Sequence, residues 1–183
     1  MRKVTVGLFY SVDGVAEAPN EFQFDSFDNE LGALLGSVMA DVDTVLMGRQ
    51  GYQEWAGFWP ETTQDGDFAS FINGVPKFVA SRSLKPADIS WRNASLIEGD
   101  LEAFVRDLKA QPGGTIAAMA GMSLVRQLLA VGLMDELTLI MHPVVAGRGR
   151  RLFDGSPTTR LELLRSEITS KGNAVLTYGK KAG

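Results

Sequence analysis

Between residues 3 and 10 the chain reads KVTVGLFY and between 44 and 48 TVLMG, two short runs rich in β-branched and apolar side chains. Runs of that length and composition suit strands. Between them Leu31, Leu34, Leu35, Val38 and Met39 recur at the three- and four-residue spacing of one helix face. The predicted order is strand, helix, strand. Further strands are expected at 76–81 (PKFVAS), 94–97 (ASLI) and 115–119 (TIAAM). Asp100 is placed to cap a helix whose buried stripe is Leu101, Phe104, Val105 and Leu108. Ser123 is placed to cap another carrying Leu124, Val125, Leu128 and Leu129, which Gly132 ends. Strands alternating with helices predict an α/β fold, a largely parallel sheet with helices on its faces.

The last third changes character. ELTLIMHPVV (136–145), RLELLRSEI (160–168) and NAVLTYG (173–179) are strand-like, with no long helical pattern between them. Antiparallel strands are therefore expected to finish the sheet. Pro143 has no N–H for a ladder and predicts a bulge or an edge position in the first of the three. Residues 15–25 and 56–67 read as surface loops. With no internal repeat, low-complexity tract or linker, residues 1–183 are expected to form a single domain.

Composition narrows the chemistry. Formal net charge is −4 and the pI about 5.1, so no global positive field draws the chain to nucleic acid or anionic lipid. The absence of cysteine excludes disulfides, a thiolate nucleophile and thiolate-held zinc or iron–sulfur. His142 is the one histidine, which makes neither a multi-histidine metal site nor the usual triad; a packed or turn-stabilising role suits it better. The N-terminal apolar stretch is broken by Ser11 and Asp13 and reads as a first strand, not a signal peptide. No apolar run approaches the roughly 20 residues that span a bilayer. A soluble, cytoplasmic protein is expected.

Three strand ends carry candidate chemistry. Met47-Gly48-Arg49 joins a glycine, which lets a ligand near the backbone, to a guanidinium suited to phosphate. Ser81-Arg82-Ser83 repeats the combination of cation and hydroxyls. Met119-Ala120-Gly121-Met122-Ser123-Leu124 runs a strand through small residues into a helix N-terminus, where amides and the helix dipole favour a pyrophosphate. Each alone also reads as an ordinary turn or cap, and the third does not fit the GxGxxG dinucleotide pattern. Their shared place at the C-terminal ends of strands, where open α/β sheets bind ligands, joins them.

The ordered series Ser11-Val12-Asp13-Gly14, Val45-Leu46-Met47-Gly48-Arg49, Val79-Ala80-Ser81-Arg82, the 119–129 turn and helix, Leu133-Met134-Asp135-Glu136-Leu137 and His142-Pro143-Val144 resembles the riboflavin-biosynthesis reductase domain, the RibD C-terminal domain, of the dihydrofolate reductase superfamily. The resemblance covers nearly the whole chain and implies that superfamily's three-layer αβα fold. It also implies NADPH as cofactor, with Arg49 and Arg82 facing the adenosine 2′-phosphate, Gly48 and Ser81 beside them, and Ala120 to Leu124 at the pyrophosphate. Leu8 and Phe9 would run near the nicotinamide, and Asp13 would stand at the mouth of the substrate cleft, there to bind or orient the substrate. The family usually has two glycines where this chain has Ala120-Gly121. No cytidine-deaminase-like zinc motif precedes the domain in this sequence, so a reductase acting alone is expected.

Alternatives stand beside these assignments. Asp13-Gly14 is equally a turn-forming pair. The acid that dihydrofolate reductase carries on its first helix has no secure counterpart: Asp25, Asp28 and Glu30 are nearby, yet Asp28 and Glu30 suit the polar start of a helix. Tyr52, Trp55, Phe58 and Trp59 either line a flat substrate ring or pack a core. Arg148, Arg150 and Arg151, interleaved with Gly147 and Gly149, form a solvated hairpin, a phosphate contact or, against the net charge, an RNA contact. The leading expectation is an NADPH-dependent reductase of a small heterocyclic or ribosylaminopyrimidine-type substrate. The rival is a catalytically silent nucleotide-binding homodimer of the same fold. Homodimerisation is expected in both, through apolar strands after residue 136.

Overall fold

The computed structural model describes residues 1–62, 64 and 66–180. The chain divides into two compact units, Met1–Val4 with Asp41–Leu133, and Thr5–Ala40 with Met134–Gly183.

In the first unit, β2 (Val42–Gly48), β3 (Lys77–Ala80), β4 (Ala94–Leu96) and β5 (Thr115–Met119) lie in the order β4-β3-β2-β5, all parallel. The five residues Thr44 to Gly48 are all buried, as a central parallel strand requires. Val45, Met47, Val79 and Ala117 form a core with Ile72 and Trp91. Two helices here are not visible in the hydrophobic pattern: α2 (Arg49–Ala56) follows β2 without a loop, and α3 (Gly66–Gly74) precedes β3. Polar contacts fasten both. The Tyr52 hydroxyl accepts from Ser90 N and Trp91 N at 2.9 and 3.2 Å, and Asn73 takes the Trp91 indole N–H at 2.7 Å while donating to Trp59 O at 2.9 Å. Tyr52 therefore packs the core, and Trp55, Trp59 and Phe68 stack edge to face beside it. Lys77, only 1% exposed, donates to the Ile72 and Val75 carbonyls at 2.8 Å each, closing the C-terminal end of α3. Of the expected loop 56–67, Ala56 closes α2 and residues 66–67 open α3, while Thr63 and Asp65 lie outside the described residues.

Helix α4 (Leu101–Ala110) starts as predicted, with Asp100 accepting from Ala103 N at 2.9 Å. Helix α5 (Met122–Ala130) does not. Its N-cap is Gly121 and Ser123 lies inside the first turn, because the chain bends into the helix at Ala120-Gly121 before a hydroxyl is reached. Gly132, at φ +69°, follows its C-terminal end as expected.

The second unit holds β1 (Val4–Ser11), α1 (Asn29–Met39), β6 (Glu136–His142), β7 (Leu161–Ile168) and β8 (Ala174–Lys180). Strand β6 pairs parallel with β1 and antiparallel with β8, which pairs antiparallel with β7. Asp28 caps α1, accepting from Leu31 N at 2.7 Å, and Leu31 packs on Ile140 and Val175. Pro143 corrects a prediction. It neither bulges β6 nor marks an edge: β6 has a partner on each side and stops at His142, so the proline ends the strand where its missing N–H costs no ladder bond. Strand β7, at one edge of the sheet, is almost wholly exposed, with a register shift between Leu163 and Arg165.

Among the described residues eight strands, mostly parallel and closing in an antiparallel set, make the α/β fold expected from the sequence. Among the described residues no helix is long and apolar enough to cross a membrane.

Candidate cofactor site

Strand β2 ends at Gly48, and α2 starts at the next residue with no side chain capping it. Strand β5 ends at Met119, and α5 starts three residues later, also without a side-chain cap. The first amides of a helix have no intrahelical acceptor, so each terminus offers N–H donors and the positive end of a dipole.

Glycine brings these two termini together. A Cβ built on Gly51 would stand 1.6 Å from Ala120 O, and one on Gly121 would stand 3.0 Å from Gly48 N and 3.2 Å from Gly48 Cα. The first turn of α2 thus lies backbone to backbone against the β5–α5 turn. Ala120 itself holds φ +50°, a left-handed conformation that a methyl group makes unfavourable, whereas Gly121 at φ −178° is simply extended. Glycine is needed at Gly51 for space and would suit position 120 for conformation.

Two cations flank the paired termini. Arg49 is exposed at the first position of α2, with Nη1 3.2 Å from Gln53 Oε1. Strand register sets Gly48 opposite Ala80, so Arg82, also exposed, follows β3 two residues past the point where Arg49 follows β2 by one. The Ser81 hydroxyl accepts from Ser83 N and Leu84 N at 3.2 and 3.0 Å, which turns the chain at this end. Met122 is half-buried and Ser123 exposed, while Leu124 is 1% exposed and presents only backbone. Nine of the expected cofactor residues, Gly48, Arg49, Ser81, Arg82 and Ala120 to Leu124, therefore lie in the first unit at the C-terminal ends of β2, β3 and β5. Sequence reasoning missed the role of Gly51. The signal available was a second glycine three residues past the strand-end Gly48.

The remaining expected residues belong to the second unit. Leu8 and Phe9 are half-buried on β1, with the Phe9 ring 6.2 Å from that of Phe27. Asp13 follows β1 and accepts from Ser11 Oγ at 2.6 Å and from the amides of Ala146 and Gly147 at 2.9 Å each. The Ser11 hydroxyl and those two amides favour the ionised form and hold its pKa near about 2. Glu17 pairs with Arg150 at 2.7 Å, and the Asp13 carbonyl accepts from Arg151 Nε at 2.9 Å. The 147–151 cluster is thus fastened to residues 13–17, in part through its own arginines.

Two helix termini meet at the strand ends with arginines at the neighbouring ends, and the α/β fold is that of dihydrofolate-reductase-like proteins. Residues 2–175 match the RibD C-terminal domain family, and the chain belongs to that family of reductases. Protein YyaP of Bacillus subtilis strain 168 is 28% identical over 182 residues, 97% of this chain and 94% of its own. Among solved structures, a protein assigned to riboflavin biosynthesis in Shewanella sp. PV-4 superposes with a TM-score of 0.74 at 19% identity, over 98% of this chain and 99% of that one. Dihydrofolate reductase from Enterococcus faecalis, solved with NADP(H), superposes with a TM-score of 0.62 at 11% identity, over 98% and 97%. These likenesses share the fold.

Proposed function

We propose that this protein is an NADPH-dependent oxidoreductase acting on a small heterocyclic or ribosylaminopyrimidine-type substrate, of the class of 5-amino-6-(5-phosphoribosylamino)uracil. The carrying observation is the pair of uncapped helix N-termini that Gly51 and Gly121 bring into contact, with Arg49 and Arg82 exposed at the neighbouring strand ends. Membership of a reductase family and the likeness to an NADP(H)-binding fold support the same reading. The amides of Arg49 to Gly51 and Met122 to Leu124 would take the pyrophosphate, and the two guanidiniums the 2′-phosphate. When bound, NADPH supplies the hydride, while the chain's own groups bind, orient and neutralise charge. Asp13 serves this reading through the 145–147 loop, whose amides it holds at the end of β1.

Fluorescence titration tests it. NADPH is expected to bind more tightly than NADH, and Arg49→Ala or Arg82→Ala to weaken NADPH about tenfold to a hundredfold while leaving NADH nearly unchanged. Equal wild-type affinities would remove the arginines from the site. Tight NADPH binding with no turnover of dihydrofolate or ribosylaminopyrimidines would favour the silent nucleotide-binding homodimer instead. The proposal includes a cytoplasmic homodimer of single-domain chains. Support for the dimer is now the β7 edge, where Leu163 and Leu164 are each 53% exposed and Ile168 is 71% exposed. Sedimentation as a monomer at micromolar concentration would remove the dimer without touching the cofactor assignment.

A further inference from the structure

His142, fully buried at the end of β6, is the only histidine in the chain. Its ring lies 5.5 Å from that of Phe9 and 6.2 Å from that of Phe22. Both ring nitrogens are met by the segment joining β1 to α1: Nε2 is 3.0 Å from Gln23 Nε2, and Nδ1 is 2.7 Å from Ser26 Oγ.

Counting hydrogens selects the tautomer. The Ser26 hydroxyl has one proton and donates it to the Gln23 carbonyl at 2.5 Å. Its oxygen is therefore the acceptor for the ring, and Nδ1 carries the hydrogen. A neutral imidazole has one N–H, so Nε2 accepts from the side-chain amide of Gln23. These bonds are all satisfied in the neutral Nδ1–H form. Adding a proton to Nε2 sets donor against donor at Gln23.

The surroundings are polar but already engaged. Asp28 faces the ring from the N-cap of α1, where it accepts from Leu31 N, Lys171 N and Asn173 Nδ2. Asp25 and Lys171 pair with each other at 3.5 Å. Burial pushes the imidazole below its ordinary value, outweighing the Asn173 side chain and the Asp28 charge, which pull the other way. Asn173 is fully buried and donates through Nδ2 to Ser26 O at 2.7 Å, while its Oδ1 has no partner among the described residues.

We propose that His142 is a proton-operated latch on residues 19–28: neutral, it fastens Gln23 and Ser26 to the end of β6; charged, it expels the Gln23 amide and loosens the segment. The amides of Phe22, Gln23 and Ser26 are built-in reporters, because they bond within the segment to Pro19 O, Pro19 O and Gln23 O. The segment also carries Phe24, which is 77% exposed and at φ +45°.

One histidine makes the test direct. Imidazole 15N spectra of the full chain are expected to show the Nδ1–H tautomer at neutral pH and a single titration below the ordinary histidine value. Hydrogen exchange at the three reporter amides, corrected for its intrinsic pH dependence, is expected to rise about tenfold with the same midpoint, the loss of one buried hydrogen bond. Gln23→Glu supplies a carboxylate for Nε2–H, so its His142 midpoint should move upward and the loosening should vanish. The Nε2–H tautomer at neutral pH would overturn the latch. So would reporter amides that stay equally protected while His142 titrates, the result expected if the Gln23 amide merely flips. An unmoved midpoint in Gln23→Glu would overturn it as well.

Discussion

Where β2 and β5 run out, backbone meets backbone; where β1 and β6 run out, side chains do the holding. At the first place Gly51 and Gly121 remove the Cβ atoms that would separate two helix starts, and neither start is capped by a side chain. At the second, Asp13, Glu17, Ser26 and His142 spend their polar atoms on neighbouring loops. The contrast separates two uses of a strand end. A close approach of two helix starts needs glycine where the backbones meet, and it leaves the first amides of both helices without a side-chain cap. A loop that must be held in place needs donors and acceptors that are already committed.

The largest effect should come from filling the backbone contact. Gly51→Ala sets a methyl group 1.6 Å from Ala120 O, so α2 and the β5–α5 turn must part. Urea unfolding is expected to show a loss of about 3 kcal/mol or more, together with loss of NADPH binding. A stability within error of wild type would mean that the two helix starts are not in contact.

The side-chain region should respond to acid instead. Because the folded pKa of Asp13 is depressed to about 2, its contribution is fully present above the ordinary carboxylate value and is lost as pH falls through about 2. Asp13→Asn removes the charge that accepts from Ala146 N and Gly147 N. Faster amide exchange at those two residues is expected, with a flatter stability profile between about pH 4 and pH 2. Unchanged exchange at both amides would separate Asp13 from the loop it is seen to hold.

The smallest effect sharpens the first region rather than breaking it. Ala120→Gly relieves a left-handed alanine, and glycine's greater freedom in the unfolded chain returns part of the gain. A net stabilisation of about 0.5–1 kcal/mol is expected from thermal or urea unfolding. A destabilisation would show that the Ala120 methyl group contributes more through packing than its conformation costs.

What sequence alone determined was whatever depends on near neighbours. The runs at 3–10, 44–48 and 115–119 became strands because apolar periodicity is a local record of burial, and Asp28 and Asp100 became caps because a carboxylate reaches an amide three residues on. The strand-end position of Gly48, Arg49, Arg82 and Gly121 was legible for the same reason. Helices α2 and α3 were not. RQGYQEWA contains a glycine and few apolar residues, and its helix is held by Tyr52 against Ser90 and Trp91, thirty-eight and thirty-nine residues away. Only the tertiary structure decided that Gly51 must be glycine, since its obstacle is the carbonyl of Ala120, remote in sequence. The same holds for Pro143 and His142. Strand order turned a suspected edge into the end of an interior strand, and a solitary imidazole became part of a network because Gln23, Ser26 and Asn173 arrive from other segments. A cap needs only its neighbours, whereas a close approach or a buried hydrogen-bond network needs partners that folding alone brings together.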